Sequence, residues 1–473
     1  MEEVQSQTRP ELKPLIFVAH PWMAMAALMI GAFVGMLSET SLNIALPQLM
    51  SAFHVGSGTI QWLVTGYMLI IGIILPLSSL LTKWFTTRQL VISGLCAFLF
   101  GAIISALAPS FEILLLGRMI QGIGTGIVLP LMFTVAMQIF PPNRLGAAMG
   151  VCAMVIMLAP AIGPTVTGLI LAKLSWNWIF WMLVPFLVVA IIFAFTSLKN
   201  TTEITKPRID YLSIIESAVG FASLVASVSL ASDLGLTSPL VIGLFILAII
   251  VLALYVHRQL MLENPILNLK IFSIPQFRTG ALLVMIDFGI ILSAMYLLPQ
   301  FIQNGLSIAV ALTGIIMLPS GIINALTSAL AGRIYDSQGA KRPTILGFII
   351  ALIGALMLAL AAPTAPIWYI ILAQIILMIG CPLVMAPAQT YAPNAIQGPE
   401  SADGSTIMNT LQQIVSAIAT AIATILLATG QSTVAGSSAV KFTNGTHYVF
   451  YFTLVLIVIG LLLSLTIKED QNS

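Results

Sequence analysis

Glu39, Asp287 and Arg118 stand where an apolar sequence gives an ionisable group little company. Glu39 falls within the apolar run 22–46, and Arg118 lies in Leu116-Gly117-Arg118-Met119-Ile120-Gln121-Gly122. Asp287 has Leu283, Val284, Ile290 and Ile291 as its neighbours at helical spacing. A charge inside such a helix costs several kcal/mol unless it meets a partner or a water-filled cavity, so each marks a place where protons or charged ligands are handled. Two carboxylates and a guanidinium suit proton exchange and the binding of an organic cation. Asn43, one turn beyond Glu39, offers it a local hydrogen bond, whereas Asp287 has no polar neighbour on its own helix. Arg118, Gln121, Gly122 and Gly126 recur at i, i+3, i+4 and i+8, a stripe on which glycines admit a second helix and Arg118 needs an acceptor. Asn43, Gln121 and Gln300 are the polar residues expected beside a substrate. Glu216, about two turns into a later apolar run, is expected to snorkel to the surface in a structural role.

The elements that must hold these residues are membrane helices. Of 473 residues, 59% are hydrophobic and 7% charged, against roughly a quarter charged in a soluble domain. That composition excludes a soluble enzyme, and a net charge of +2 gives no basic face for nucleic acid. Apolar stretches long enough to span occur at 22–46, 60–82, 88–108, 111–138, 146–170 and 177–197, then at 210–232 and 237–257, then at 279–303, 308–331, 343–362, 366–391, 405–429 and 446–467. The expected fold is therefore an all-α integral membrane protein with fourteen transmembrane helices in a six, two, six arrangement. Its parts are a segment 1–21, a six-helix bundle at 22–197, a linker with two extra helices at 198–278, a second bundle at 279–467 and a tail at 468–473. The extra pair reads as a spacer. Lys and Arg resist translocation, and with both termini cytoplasmic, fifteen of the 18 basic residues fall in cytoplasmic segments, leaving Lys173 and Lys441 outside and Arg118 within a helix.

Chemistry on covalent bonds finds no support. The chain has no Gly-x-x-x-x-Gly-Lys-Ser/Thr, no His-Glu-x-x-His and no Gly-x-Ser-x-Gly, and its four histidines are scattered. Cys96, Cys152 and Cys381 lie in apolar runs and read as packing residues. No cofactor or metal is expected.

The two bundles repeat one another. Leu46-Pro47-Gln48-Leu49 matches Leu298-Pro299-Gln300-Phe301, offset by 252, and the segment Ser79 to Arg88 matches Gly332 to Lys341, offset by 253. Parallel six-helix repeats place a transport site at their interface near the bilayer midplane. On the equivalent helices Glu39 lies eight residues before Pro47 and Asp287 twelve before Pro299. The difference of four keeps one face and shifts depth by about 6 Å, so both carboxylates are expected to face the central cavity.

These phrases together resemble the major facilitator superfamily, and within it the fourteen-span drug:proton antiporters of the EmrB/QacA type. Arg118 to Gly126 is similar to the fourth-helix proton-relay motif. Gly150 to Gly168, with Pro160, Gly163 and Pro164, is similar to the fifth-helix antiporter motif, and Leu37 to Pro47 to the first-helix motif, with Ser38 where the family usually has Asp. The loop motif Gly-x-x-x-Asp-x-x-Gly-Arg-Lys survives in Gly332, Asp336, Gly339, Lys341 and Arg342, but Ser79, Lys83 and Thr86 replace its key residues in the first half. The resemblance implies a monomeric proton-coupled exporter of amphipathic, cationic compounds in a bacterial plasma membrane, with Glu39, Asp287 and Arg118 coupling the proton. It also leads us to expect an asymmetric cytoplasmic gate, held by Asp336 and indifferent to Lys83. A transporter of one native metabolite or lipid-like anion is the alternative, and a membrane-embedded enzyme a remote one.

Overall fold

A computed structural model describes residues 20–200, 204–206, 210–235, 237–262, 265–308, 310–396 and 401–467. Apart from His20 and Pro21, the expected terminal segments 1–21 and 468–473 lie outside the described residues, as does the side chain of Pro164. The first half contains α1 (Pro21–Phe53), α2 (Ser57–Trp84), α3 (Thr87–Ala106), α4 (Phe111–Ile139), α5 (Pro142–Leu171), the short α6 (Asn177–Trp181) and α7 (Leu183–Ser197). Next come α8 (Tyr211–Leu234) and α9 (Pro239–Met261). The second half contains α10 (Pro275–Gln300), α11 (Val310–Gln338), α12 (Lys341–Ala359), α13 (Ile367–Asn394), α14 (Ser401–Ser432) and α15 (Ser438–Ser464). With α6 and α7 forming one span broken at Met182, fourteen segments are long and apolar enough to cross a membrane. Several helices outrun their apolar stretches by a turn or more, because backbone hydrogen bonding continues past the hydrocarbon wherever a cap allows it. At α3, Thr86 and Gln89 supply such a cap reciprocally.

Each half is built around one helix. In the first, α1 packs against α4, α5 and α7; in the second, α10 packs against α13, α14 and α15. The repeat extends to single glycines. Gly101 of α3 meets the backbone of Gly117 and Gln121 on α4, and Gly354 of α12 meets that of Ala373 and Leu377 on α13. Gly124 and Gly380 repeat the relation from the other side of each pair. A Cβ at any of these positions would strike backbone, so glycine is what lets the helices approach this closely.

Among the described residues the halves join along one end. It is the end where α1 begins and where Lys83, Arg88, Arg144, Arg333, Lys341 and Arg342 lie, here termed the basic end. There α5 packs along α11, and α14 meets α2 and α4. The seam runs from Gly146 against Gly332, through Gly150 against Ser328, to Ala161 against Gly321. Beyond it, Gly168 and Gly314 have nothing within 4 Å of an added Cβ. The extra helices are not detached: α8 packs on α2 and reaches α14, while α9 lies outside it with only 17% of its most apolar window buried.

Candidate functional site

Arg118 is fully buried and its donors are shared among helices. Its Nη1 donates to Ser38 Oγ at 2.6 Å and to Gln121 Oε1 at 2.7 Å, and Nε donates to the Leu63 carbonyl at 3.3 Å. The guanidinium carbon stands 4.0 Å from the centre of the Tyr67 ring, an arrangement that stabilises a desolvated cation. Gln121 passes the network on to Ser105 at 3.0 Å, and the Tyr67 hydroxyl donates to the Gly35 carbonyl and lies 2.7 Å from Thr125 Oγ1. Among the described residues Arg118 Nη2 has no acceptor, and no carboxylate lies within ion-pair distance. The residue that meets Arg118 from α1 is thus Ser38, not its neighbour Glu39. Adjacent residues on a helix point about 100° apart, which turns Glu39 aside while leaving it in electrostatic range of Arg118.

Glu39 is half-buried and shares an uncovered stripe of α1 with Met36, Asn43 and Pro47. Among the described residues no helix of the second half packs closely on α1. Asn43 is exposed, and among the described residues no hydrogen bond joins it to Glu39. Gln121 does not line open space as expected, because it is buried within the Arg118 network. Gln300, at the far end of α10, is half-buried and donates to the Tyr296 carbonyl of its own helix at 3.0 Å.

Asp287 departs further from expectation. It does not open on a cavity: it is 0% exposed, and neither carboxyl oxygen has a hydrogen-bond partner. The Cys381 thiol of α13 lies beside it, outside regular hydrogen-bond geometry. The repeat explains the pairing. The α1-to-α10 offset of 252 puts Asp287 in the place of Gly35, and the α4-to-α13 offset of 256 set by Gly124 and Gly380 puts Cys381 in the place of Thr125. Gly35 indeed packs on Thr125. The same offset gives Arg118 the counterpart Gln374, whose Oε1 is buried without a partner. One half therefore holds the base and the other the acid, at corresponding helix crossings one turn apart.

At the basic end Asp336 accepts from the backbone amides of Gly146 and Ala147, each at 2.7 Å, in the first turns of α5. Gly332 packs on Gly146, and Gly339 ends α11 with a φ of 72°, a conformation that glycine reaches without strain. Lys341 and Arg342 open α12 on its accessible side. Gly150 sits against Ser328 and Gly332, Gly163 against Thr40, and α5 runs unbroken through a half-buried Pro160 and through Pro164. The expectation of a one-sided gate is corrected here. Lys83 forms an ion pair with Asp403 at 3.2 Å in the first turn of α14, and Ser79 also donates to Asp403. The first-half motif lost its acid, but α14 supplies one, so the pair survives with its polarity reversed. Asp403 was missed because it lies 320 residues from Lys83, and nothing local to either residue announces the other.

Two packed six-helix halves, joined at one end and enclosing buried charges along their central helices, define a membrane transporter. The sequence matches the Major Facilitator Superfamily over residues 28–420, and the chain belongs to that family; it is a transporter and not an enzyme. It is 42% identical to the lincomycin resistance protein LmrB of Listeria monocytogenes over 460 residues, 96% of this chain and 98% of that protein. It is 43% identical to LmrB of Bacillus subtilis, covering 93% and 94% of the two chains. Among solved structures, the proton:xylose symporter XylE superposes with a TM-score of 0.65 at 15% identity, covering 94% of each chain.

Proposed function

We propose that the protein is a proton-driven exporter of amphipathic, cationic organic compounds, acting as a monomer in a bacterial plasma membrane. Its relatives that confer lincomycin resistance support drug efflux, and make lincomycin the first compound to test. The basic end is the cytoplasmic one by the retention of Lys and Arg, which makes the described state open to the outside. Asp287 carries the reading. A carboxyl buried among apolar residues without a hydrogen bond pays for its ionised form, and a proton or a bound cation relieves the cost. In the inward-facing state, ionised Asp287 and Glu39 attract the cation; entry of a proton from outside neutralises them and releases it. Arg118 keeps positive charge near Glu39, so that the proton leaves again once the halves exchange access. Ser38, Gln121 and Tyr67 hold the guanidinium in place, and Asn43 and Gln300 offer polar contacts to the substrate. The test is accumulation of lincomycin or a lipophilic cation in vesicles with an acidic interior. Uptake that follows the imposed gradient and collapses with a protonophore is expected. Uptake indifferent to the gradient would defeat proton coupling.

A further inference from the structure

A groove between α2 and α3 at the basic end takes no part in the cycle above. Both helices pack on α4 but scarcely on one another, and between them lies a cavity of about 790 Å³. Leu81 and Phe85 of α2, Ile92 of α3, Ile127 of α4 and Phe195 of α7 give it apolar walls. Leu81 and Phe85 each stand two residues from Lys83, which places them about 200° round α2 from it. Lys83 turns to Asp403 at the seam, so the groove lies on the opposite side of α2, away from the junction of the halves and toward the bilayer.

One charged side chain, Arg88 in the first turn of α3, lines this cavity. Its Nη2 donates to the Phe195 carbonyl at 2.6 Å, and its guanidinium carbon stands 5.9 Å from the centre of the Phe195 ring. These contacts fix where the cation sits without neutralising it. Among the described residues no carboxylate lies within ion-pair distance of Arg88. Its backbone amide is taken by Asn200 Oδ1 at 3.3 Å, which brings the exposed Lys199 to the same rim. Of the neighbouring cations, Lys83 is spent on Asp403, and Lys206 follows the chain to the Lys83 carbonyl; residues 201–203 and 207–209 lie outside the described residues. We propose that this groove binds an anionic phospholipid, its phosphate on Arg88 and an acyl chain along Leu81, Ile92 and Ile127. An arginine presents a fork of donors matched to phosphate oxygens, and basic pockets between helices on the cytoplasmic side suit anionic headgroups. Lipid is favoured over free phosphate because Ile92 lies one turn, about 6 Å, deeper than Arg88 on the same helix. The cation thus stands at the mouth of an apolar channel. The choice of leaflet rests on the reading of the basic end as cytoplasmic; the site itself does not.

The test is native mass spectrometry of the full chain in detergent micelles, titrated with phosphatidylglycerol or with phosphatidylcholine of the same acyl chains. Phosphatidylglycerol should be retained several-fold more strongly, and Arg88→Gln should lose that preference. A phosphatidylglycerol carrying a photoreactive acyl chain should label peptides that contain residues 81–93 and Ile127. Ile92→Trp fills the groove while keeping the cation, so it should lower this labelling, and it carries the test if Arg88→Gln does not accumulate. Equal retention of the two lipids, a preference that persists in Arg88→Gln, or labelling confined to other helices overturns the proposal. Displacement of the bound lipid by an equal concentration of glycerol phosphate would overturn it in favour of a site for the free headgroup. Because the readout needs neither substrate nor gradient, its failure is distinct from a failure of gradient-driven uptake in vesicles.

Discussion

At the scale of single residues, the site separates a cation without a carboxylate from a carboxylate without a cation. Asp287→Asn keeps shape and removes the titrating group, so gradient-driven uptake of cations should fall about tenfold or more while membrane insertion is unaffected. Unchanged uptake by the purified variant would remove Asp287 from the mechanism. Arg118 poses a different problem, since its fork serves Ser38, Gln121 and the Leu63 carbonyl while stacked on Tyr67. An ammonium is a point charge that cannot reproduce this fan of donors. Arg118→Lys therefore forfeits one or two charge-assisted bonds, each worth about 1.5–3 kcal/mol, and should lower both thermal stability and coupled transport. Normal transport by that variant would reduce Arg118 to a generic positive charge.

At the scale of helices, the seam at the basic end makes opposite demands of neighbouring positions. Gly332 faces the backbone of Gly146, so Gly332→Ala must push α5 and α11 apart, an overpacking cost of about 1–3 kcal/mol. Gly168→Ala, at a position with nothing nearby, should be silent even though it belongs to the same fifth-helix phrase. Comparing the two variants for transport and thermal stability separates contact from motif membership. Lys83→Ala leaves Asp403 buried without its cation, and such broken pairs cost up to about 3–5 kcal/mol, less where one partner reaches water as Lys83 does. It should loosen the seam as much as Asp336→Asn does. The exchange Lys83→Asp with Asp403→Lys should restore closure that either single change loses, as read by labelling of a reporter cysteine from the basic end. Failure of the double variant to recover would show that the pair acts through something other than complementary charge.

At the scale of the whole molecule, the described state is closed at the basic end and parted at the other, and transport requires that relation to reverse. Ala161 and Gly321 mark the far limit of the closed seam. A disulfide formed between cysteines placed at both positions should arrest uptake in vesicles, and a reductant should restore it. Continued turnover with the bond formed would mean that α5 and α11 need not separate there. The segments flanking α8 and α9 reach this closed end, where they touch Lys83 and Asp403.

Helix number, the doubled six-helix plan and the membrane location of the chain follow from local sequence, because the cost of burying charge in lipid and the length of an apolar run are properties of about twenty consecutive residues. The solitude of Asp287 was legible for the same reason: every neighbour on its own helix is apolar. Helical periodicity also placed Arg118 and Gln121 on one stripe. It could not say that Ser38 and not Glu39 would meet Arg118, because that depends on the rotation of α1 against α4, set by contacts such as Gly35 on Thr125. Nor could it pair Lys83 with Asp403, since those groups lie on helices whose adjacency arises only when the halves pack. Local sequence determined which residues are costly to bury; tertiary packing decided which of them find partners, as Arg118 does, and which, as Asp287, do not.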